Sequence, residues 1–184
     1  MGGNSVIRHN TVDGVGGGGL WAGVSTFNMS GNALISENRT DRLGGGVVIF
    51  DGNFTMDENA AIINNHAESG GGIYVQHSNF TMGGNAVIRG NRAEHGAGLF
   101  GNGTGENVTP GIYIISGGSI DSNIAENLGG GMVLLNVNFT MEGGTIKNNT
   151  AVSGGGLHLS EGTFTRNGGS IQGNSPADIF EAPP

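Results

Sequence analysis

The chain has no cysteine, one tryptophan, four prolines and only seven lysines plus arginines in 184 residues. Each shortage excludes something. Without cysteine there is no disulfide framework and no thiol catalysis, although the compartment stays open. Fifteen acidic residues leave a formal charge of −8, so a grip on nucleic acid or anionic lipid is not expected. No apolar run approaches the roughly 18 residues that suggest a membrane span, so no membrane insertion is expected either. The basic and apolar regions of a signal peptide are missing, and a secreted protein read this way would be a mature or excised piece.

Glycine is what the chain has in abundance. There are 39, without the G-X-Y period of collagen, and an apolar content of 35% is too high for simple disorder. Glycine on this scale serves a repeated backbone geometry.

The repeat is visible by eye. Glycine triplets begin at Gly17, Gly44, Gly70, Gly129 and Gly154, with Gly96-Ala97-Gly98 as a variant, in steps of 27, 26, 26, 33 and 25 residues. An aromatic column keeps the same register: Phe27, Phe54, Phe80, Tyr113, Phe139, Phe164. So does an isoleucine column: Ile7, Ile35, Ile62, Ile88, Ile120, Ile146, Ile171. Three residues after each isoleucine stands an asparagine: Asn10, Asn38, Asn65, Asn91, Asn123, Asn149, Asn174. A weaker column, Met29, Met56, Met82, Ile115 and Met141, breaks at Arg166. Gly2–Asn10 repeats Gly83–Asn91 almost residue for residue, so the chain starts in mid-coil and reads as part of a longer solenoid.

Within each repeat the alternation has period two, the signature of strands rather than helices. Three short strands in about 26 residues predict one coil of a right-handed parallel β-helix: all-β, a solenoid of about seven coils with three sheets. Coils stack at roughly 4.8 Å, which lays identical side chains over one another. Phenylalanine and isoleucine columns then fill the interior, with methionine in the remaining gap. Asparagine amides are expected to bond to the same amide one coil away, in a buried ladder. One domain, 1–184, is expected, with a partial first coil at 1–16. The long step places a seven-residue insertion within 99–111. Pro176 interrupts an alanine column, so 175–184 reads as a cap where the ladder stops.

The run of GGG, an aliphatic strand, FTM and then I-x-x-N-x-A resembles the glycine-rich β-helix repeats of bacterial surface and adhesin-like proteins. It is similar, more distantly, to chlamydial polymorphic membrane protein repeats, which favour GGA and F-x-x-N where this chain has GGG. The resemblance covers nearly the whole chain. It implies a secreted or cell-surface passenger without a cofactor and carries over no functional residues.

Function must then lie on surfaces. The residue after each inward aliphatic one should point outward, giving a file of Trp21, Val48, Tyr74, Phe100, Val133 and His158. A contiguous apolar stripe of this kind usually marks a contact surface for protein or glycan. The insertion starts beside Phe100, so Asn102, Thr104 and Asn107 join Trp21, Tyr74, Phe100 and His158 as candidate ligand contacts. An acidic column, Asp13, Asp41, Glu68, Glu94, Glu126, reads first as a solvated corner. Glu68, Glu94 and Glu126 are its weak calcium candidates. A threonine file, Thr55, Thr81, Thr140 and Thr165, reads as a single outward rank interrupted by Asn28 and Ile114. Ice-binding solenoids present two such ranks, and strand propensity alone accounts for one.

Enzyme motifs are not apparent. His9, His66, His77, His95 and His158 lack metal-ligand spacing, no G-x-S-x-G occurs, and Gly101–Gly105 does not lie between a strand and a helix. Asp57 and Glu58 sit at a turn without partner carboxylates. The expectation is a non-enzymatic secreted or surface-displayed solenoid, an adhesin, stalk or ligand-contact module, with no cofactor and with self-association through its open coil ends. The alternative is a carbohydrate-binding or polysaccharide-degrading β-helix protein.

Overall fold

The computed structural model describes residues 1–14, 16–105 and 109–182. Among them there is no helix, so none is long and apolar enough to cross a membrane. The chain winds into a parallel β-solenoid of about seven turns, each strand pairing with its counterpart one coil away.

Register follows the columns. Ile7, Ile35, Ile62, Ile88, Ile120, Ile146 and Ile171 are successive partners in a seven-stranded sheet. The aromatic column is likewise continuous from Phe27 to Phe164, with neighbouring rings 5.1–5.9 Å apart where they are in ring contact. The strand after each triplet and the aromatic strand were expected on separate sheets. They belong to one eleven-stranded sheet, because Met132–Met141 and Leu157–Arg166 run unbroken through both sets. The asparagine corner carries only short pairings, such as Arg92–His95 with Ile124–Leu128, joined by single bridges.

Two backbone devices make the coils fit. The first glycine of each full triplet after the opening one has positive φ, as at Gly44 (56°). The third glycine lies against the next coil, and a Cβ on Gly72 would stand 2.6 Å from the Gly98 carbonyl. A second left-handed position precedes the ladder asparagine in every coil. It is filled by His9, Glu37, Asn64, Gly90, Ser122, Asn148 and Gly173.

The asparagine ladder is interior from Asn38 to Asn149, with Asn10 and Asn174 more open at its ends. Asn91 shows the unit. Its Nδ2 donates to Asn123 Oδ1 (3.0 Å) and to the Ile62 carbonyl (3.1 Å), while its Oδ1 accepts from the backbone N–H and Nδ2 of Asn65 (2.9 and 3.1 Å). Each buried amide is thus fully paired, as burial requires. The amide-to-amide bonds all run one way, each Nδ2 donating to the Oδ1 of the next coil, and at the C-terminal end Asp178 receives the Asn174 N–H and Nδ2 at 3.0 and 2.9 Å. A carboxylate, which only accepts, suits that donor end.

One coil departs from the pattern and compensates within itself. Gly101 stands where neighbouring coils have Val75 and Leu134, which leaves room in the core. The only tyrosine of the aromatic column, Tyr113, occupies it: its Cε2 and Oη would lie 2.6 and 2.7 Å from a Cβ on Gly101. Its hydroxyl donates to the Val75 carbonyl at 3.4 Å, and burial holds its pKa well above the ordinary tyrosine value.

Pro176 does not end the sheet. Ile179–Glu181 adds a further strand on Leu157–Leu159. The proline occupies the corner column in which Ala67, Ala125 and Ala151 donate their N–H groups to the following coil, so only that donor is lost.

Candidate functional site

The expected exposed stripe is mostly covered. Only Trp21 is open, at 57%; Phe100 is half-buried, while Tyr74 (6%), His158 (7%), Val48 and Val133 are buried. The cover is backbone. A Cβ on Gly44 would meet Val48 Cγ2 at 2.4 Å, and one on Gly129 would meet Val133 Cγ2 at 2.4 Å, so each triplet curls back over the outward residue of its own strand. Period-two alternation names the two faces of a strand without saying what lies over the outer one.

An aromatic residue outside the expected file completes a continuous run. Phe50, two positions beyond Val48, lies 6.1 Å from Trp21 and 6.0 Å from Tyr74, and Tyr74 stacks on Phe100 at 5.4 Å with 14° between planes. Stacking along the solenoid axis spends ring faces on one another. Tyr74 is thereby buried and Phe100 half-buried, and His158 stacks on Phe180 at 4.8 Å. Burial, with His95 nearby, lowers the pKa of His158. Trp21, tilted 45° to Phe50 and lying over Gly23, keeps an exposed surface beside Val24, which is 83% exposed.

The polar candidates are engaged at the base of the insertion. Tyr74 Oη donates to Gln76 Oε1 (3.2 Å) and accepts from Asn102 Nδ2 (3.3 Å). Asn102 Oδ1 accepts from the N–H and hydroxyl of Thr104 (3.0 and 2.6 Å). His77 Nε2 meets the Thr104 carbonyl at 2.8 Å, and Asn136 Nδ2 donates to the Gly103 carbonyl at 2.8 Å. These groups anchor the loop stem to the coils on either side. Asn107 lies outside the described residues.

The acidic column borders a groove of about 220 Å³ lined by Arg39, Asp41, His66, Glu68, Glu94 and Glu126, with Ala67 and Ala93 as floor. A basic file runs parallel to it, since Arg39, His66 and Arg92 are bridge partners in successive coils. Arg39 pairs with Asp41 at 3.7 Å, and His95 approaches Glu94 at 3.6 Å. Burial, then Arg39, lowers the pKa of His66. In the sequence His66 stands out only as one of five histidines without metal-ligand spacing, and nothing there aligns it with Arg39 and Arg92. Among the described residues no group of three or more His, Asp or Glu side chains, Glu68, Glu94 and Glu126 included, is placed to hold a metal ion.

The threonine file is one of two outward ranks. Every aromatic strand presents two outward positions flanking its ring. The first rank is Thr26, Asn53, Asn79, Ile112, Asn138, Thr163 and the second Asn28, Thr55, Thr81, Ile114, Thr140, Thr165, in register across six coils. The first was missed because it mixes residue types, with threonine only at its two ends and asparagine and isoleucine between.

Comparison with protein-family models, with characterised proteins and with solved structures returns no match.

Proposed function

We propose that the chain is a non-enzymatic solenoid module, secreted or displayed at a cell surface, that carries a small protein- or glycan-contact patch on a stiff rod. The repeat's resemblance to bacterial adhesin-like β-helices supports the setting. The observation that carries the reading is the open ring of Trp21 beside Val24, fixed on the side of a fully paired stack. Seven coils at about 4.8 Å give a body of roughly 30–35 Å. Its interior consists of stacked rings and saturated amides, which suits a spacer that holds a contact surface at a set distance. A tryptophan with Phe50 behind it offers a large apolar area at low entropic cost, the usual anchor of a contact surface.

Arrays of glycans and of host surface proteins probed with the chain and with Trp21→Ala test this. The expected result is a ligand whose binding falls at least tenfold in Trp21→Ala, with an unchanged circular dichroism spectrum and melting temperature. A ligand bound equally by both proteins, or none bound by the parent chain, overturns the reading.

A further inference from the structure

We propose that the two-rank face of the aromatic strands is an ice-binding surface. It does not depend on the reading of Trp21, which lies on the other set of strands. The twelve outward positions hold six threonines, four asparagines and two isoleucines, and no charged residue, in a chain of net charge −8. Charge appears at the rims, as Asp51 and Glu161 at one turn and Asp57, Glu142 and, at the end of the last aromatic strand, Arg166 at the other. The face therefore offers nothing to a charged partner. Neither rank contains an aromatic ring, so it also lacks the platform on which a sugar ring packs.

What it does offer is a lattice. Successive coils repeat hydroxyl, amide and methyl groups every 4.8 Å or so, and the two ranks are separated by two residues, about 6.7 Å. The axial repeat is close to the oxygen spacing along the a axis of hexagonal ice. The groups are also held still. Asn79 Nδ2 donates to Asn53 Oδ1 at 3.0 Å, Asn79 Oδ1 accepts the Ile112 N–H at 2.9 Å, and Thr163 donates its hydroxyl to Asn138 Oδ1 at 2.9 Å. Directly beneath lie the packed aromatic and methionine columns, which resist bending of the face. β-Branched threonine has restricted χ1, so its hydroxyl and methyl keep fixed relative positions from coil to coil. Ile112 and Ile114 interrupt the hydroxyls but keep the methyl pattern. One surface hydroxyl contributes little to adsorption. A rigid array loses almost no conformational entropy on meeting a crystal, so many small contacts add.

The probe is ice itself. The chain, the double variant Thr81→Tyr with Thr140→Tyr, and the control Gln172→Tyr on the isoleucine sheet are each partitioned into slowly growing polycrystalline ice. Thermal hysteresis is read in parallel, and circular dichroism verifies the fold. The expected result is severalfold enrichment in ice with measurable hysteresis for parent and control, both lost in the double variant. A parent chain that stays in the liquid, or a folded double variant that partitions like the parent, overturns the proposal. So does retention on a crystalline polysaccharide with none on ice, which would assign the face to a carbohydrate surface instead.

Discussion

Asn91→Leu removes the middle rung of the amide ladder while nearly preserving side-chain volume. Four hydrogen bonds of the Asn91 side chain disappear together. The Asn65 N–H loses its Oδ1 acceptor and the Ile62 carbonyl loses its amide donor, while Asn65 Nδ2 keeps the Ile35 and Ile63 carbonyls at 3.1 and 3.2 Å. Asn123 Oδ1 keeps the backbone N–H of residue 91. One group, the Asn65 N–H, is left unpaired where residue 91 itself is wholly buried. At about 1–3 kcal/mol for a buried orphan and about 1 kcal/mol for the amide bond lost to Asn123, the loss is roughly 2–4 kcal/mol. That is a large share of the 5–15 kcal/mol typical of a domain. In a stacked array the damage also weakens one interface between neighbours, so cooperativity should suffer. Urea unfolding followed by circular dichroism is the assay, with Asn10→Leu as reference. Asn10 is exposed at the ladder's end and bonds on one side, so its replacement should cost under about 1 kcal/mol. Equal losses at the two positions would refute the claim that burial and double-sided pairing give the ladder its strength.

Four further outcomes are expected. Asp178→Ala leaves the last Asn174 donors to water, and should lower stability by about 1 kcal/mol, read as a fall in urea midpoint at constant slope. Gly101→Ala should cost about 1–3 kcal/mol by overpacking against Tyr113, and Tyr113→Phe should recover part of it, giving a non-zero coupling in a double-mutant cycle. Because burial raises the Tyr113 pKa above 10.0, the unfolded chain loses that proton first. Stability from this group is full below pH 10.0 and declines as pH rises beyond it, and Tyr113→Phe should flatten the alkaline limb of the unfolding midpoint. His66 and His158 shift the other way, so their contribution is present above pH 6.5 and is lost as pH falls below it, a limb that His158→Phe should reduce.

The columns were legible because stacking makes one environment recur every coil, and a recurring environment selects a recurring residue. The isoleucine and asparagine columns are the clearest cases, each serving one pocket or one hydrogen-bond pattern. Where the requirement falls on backbone alone, the sequence is quiet. The left-handed position before each ladder asparagine accepts histidine, glutamate, serine, asparagine or glycine, since its side chains point to solvent and only φ is constrained. Burial of Val48 and Val133 was hidden for a related reason: their cover is the glycine backbone of their own coil, which leaves no side-chain pattern. Asp178 could have been anticipated, because a directional ladder needs an acceptor at its donor end. Its place four residues beyond the last asparagine, outside the repeat, concealed it.

Apart from Arg166 and Pro176 near the C-terminal end, the main departures from the repeat are clustered. Ala97 in the triplet, Gly101 in the aliphatic column, the inserted residues after Asn102, and Ile112, Tyr113, Ile114 and Ile115 in place of the N-F-T-M run all fall in a single turn of the solenoid. Tyr113 fills the space left at Gly101, and Asn102 closes on Tyr74 below while the Gly103 carbonyl is held by Asn136 above. These residues form a cassette whose parts answer one another but whose upper and lower edges match any ordinary neighbour. Exchanging the whole turn for a regular one is then a milder change than reverting its residues one at a time. A solenoid of this kind can acquire or discard a specialised turn in one step, with its neighbours left as they were.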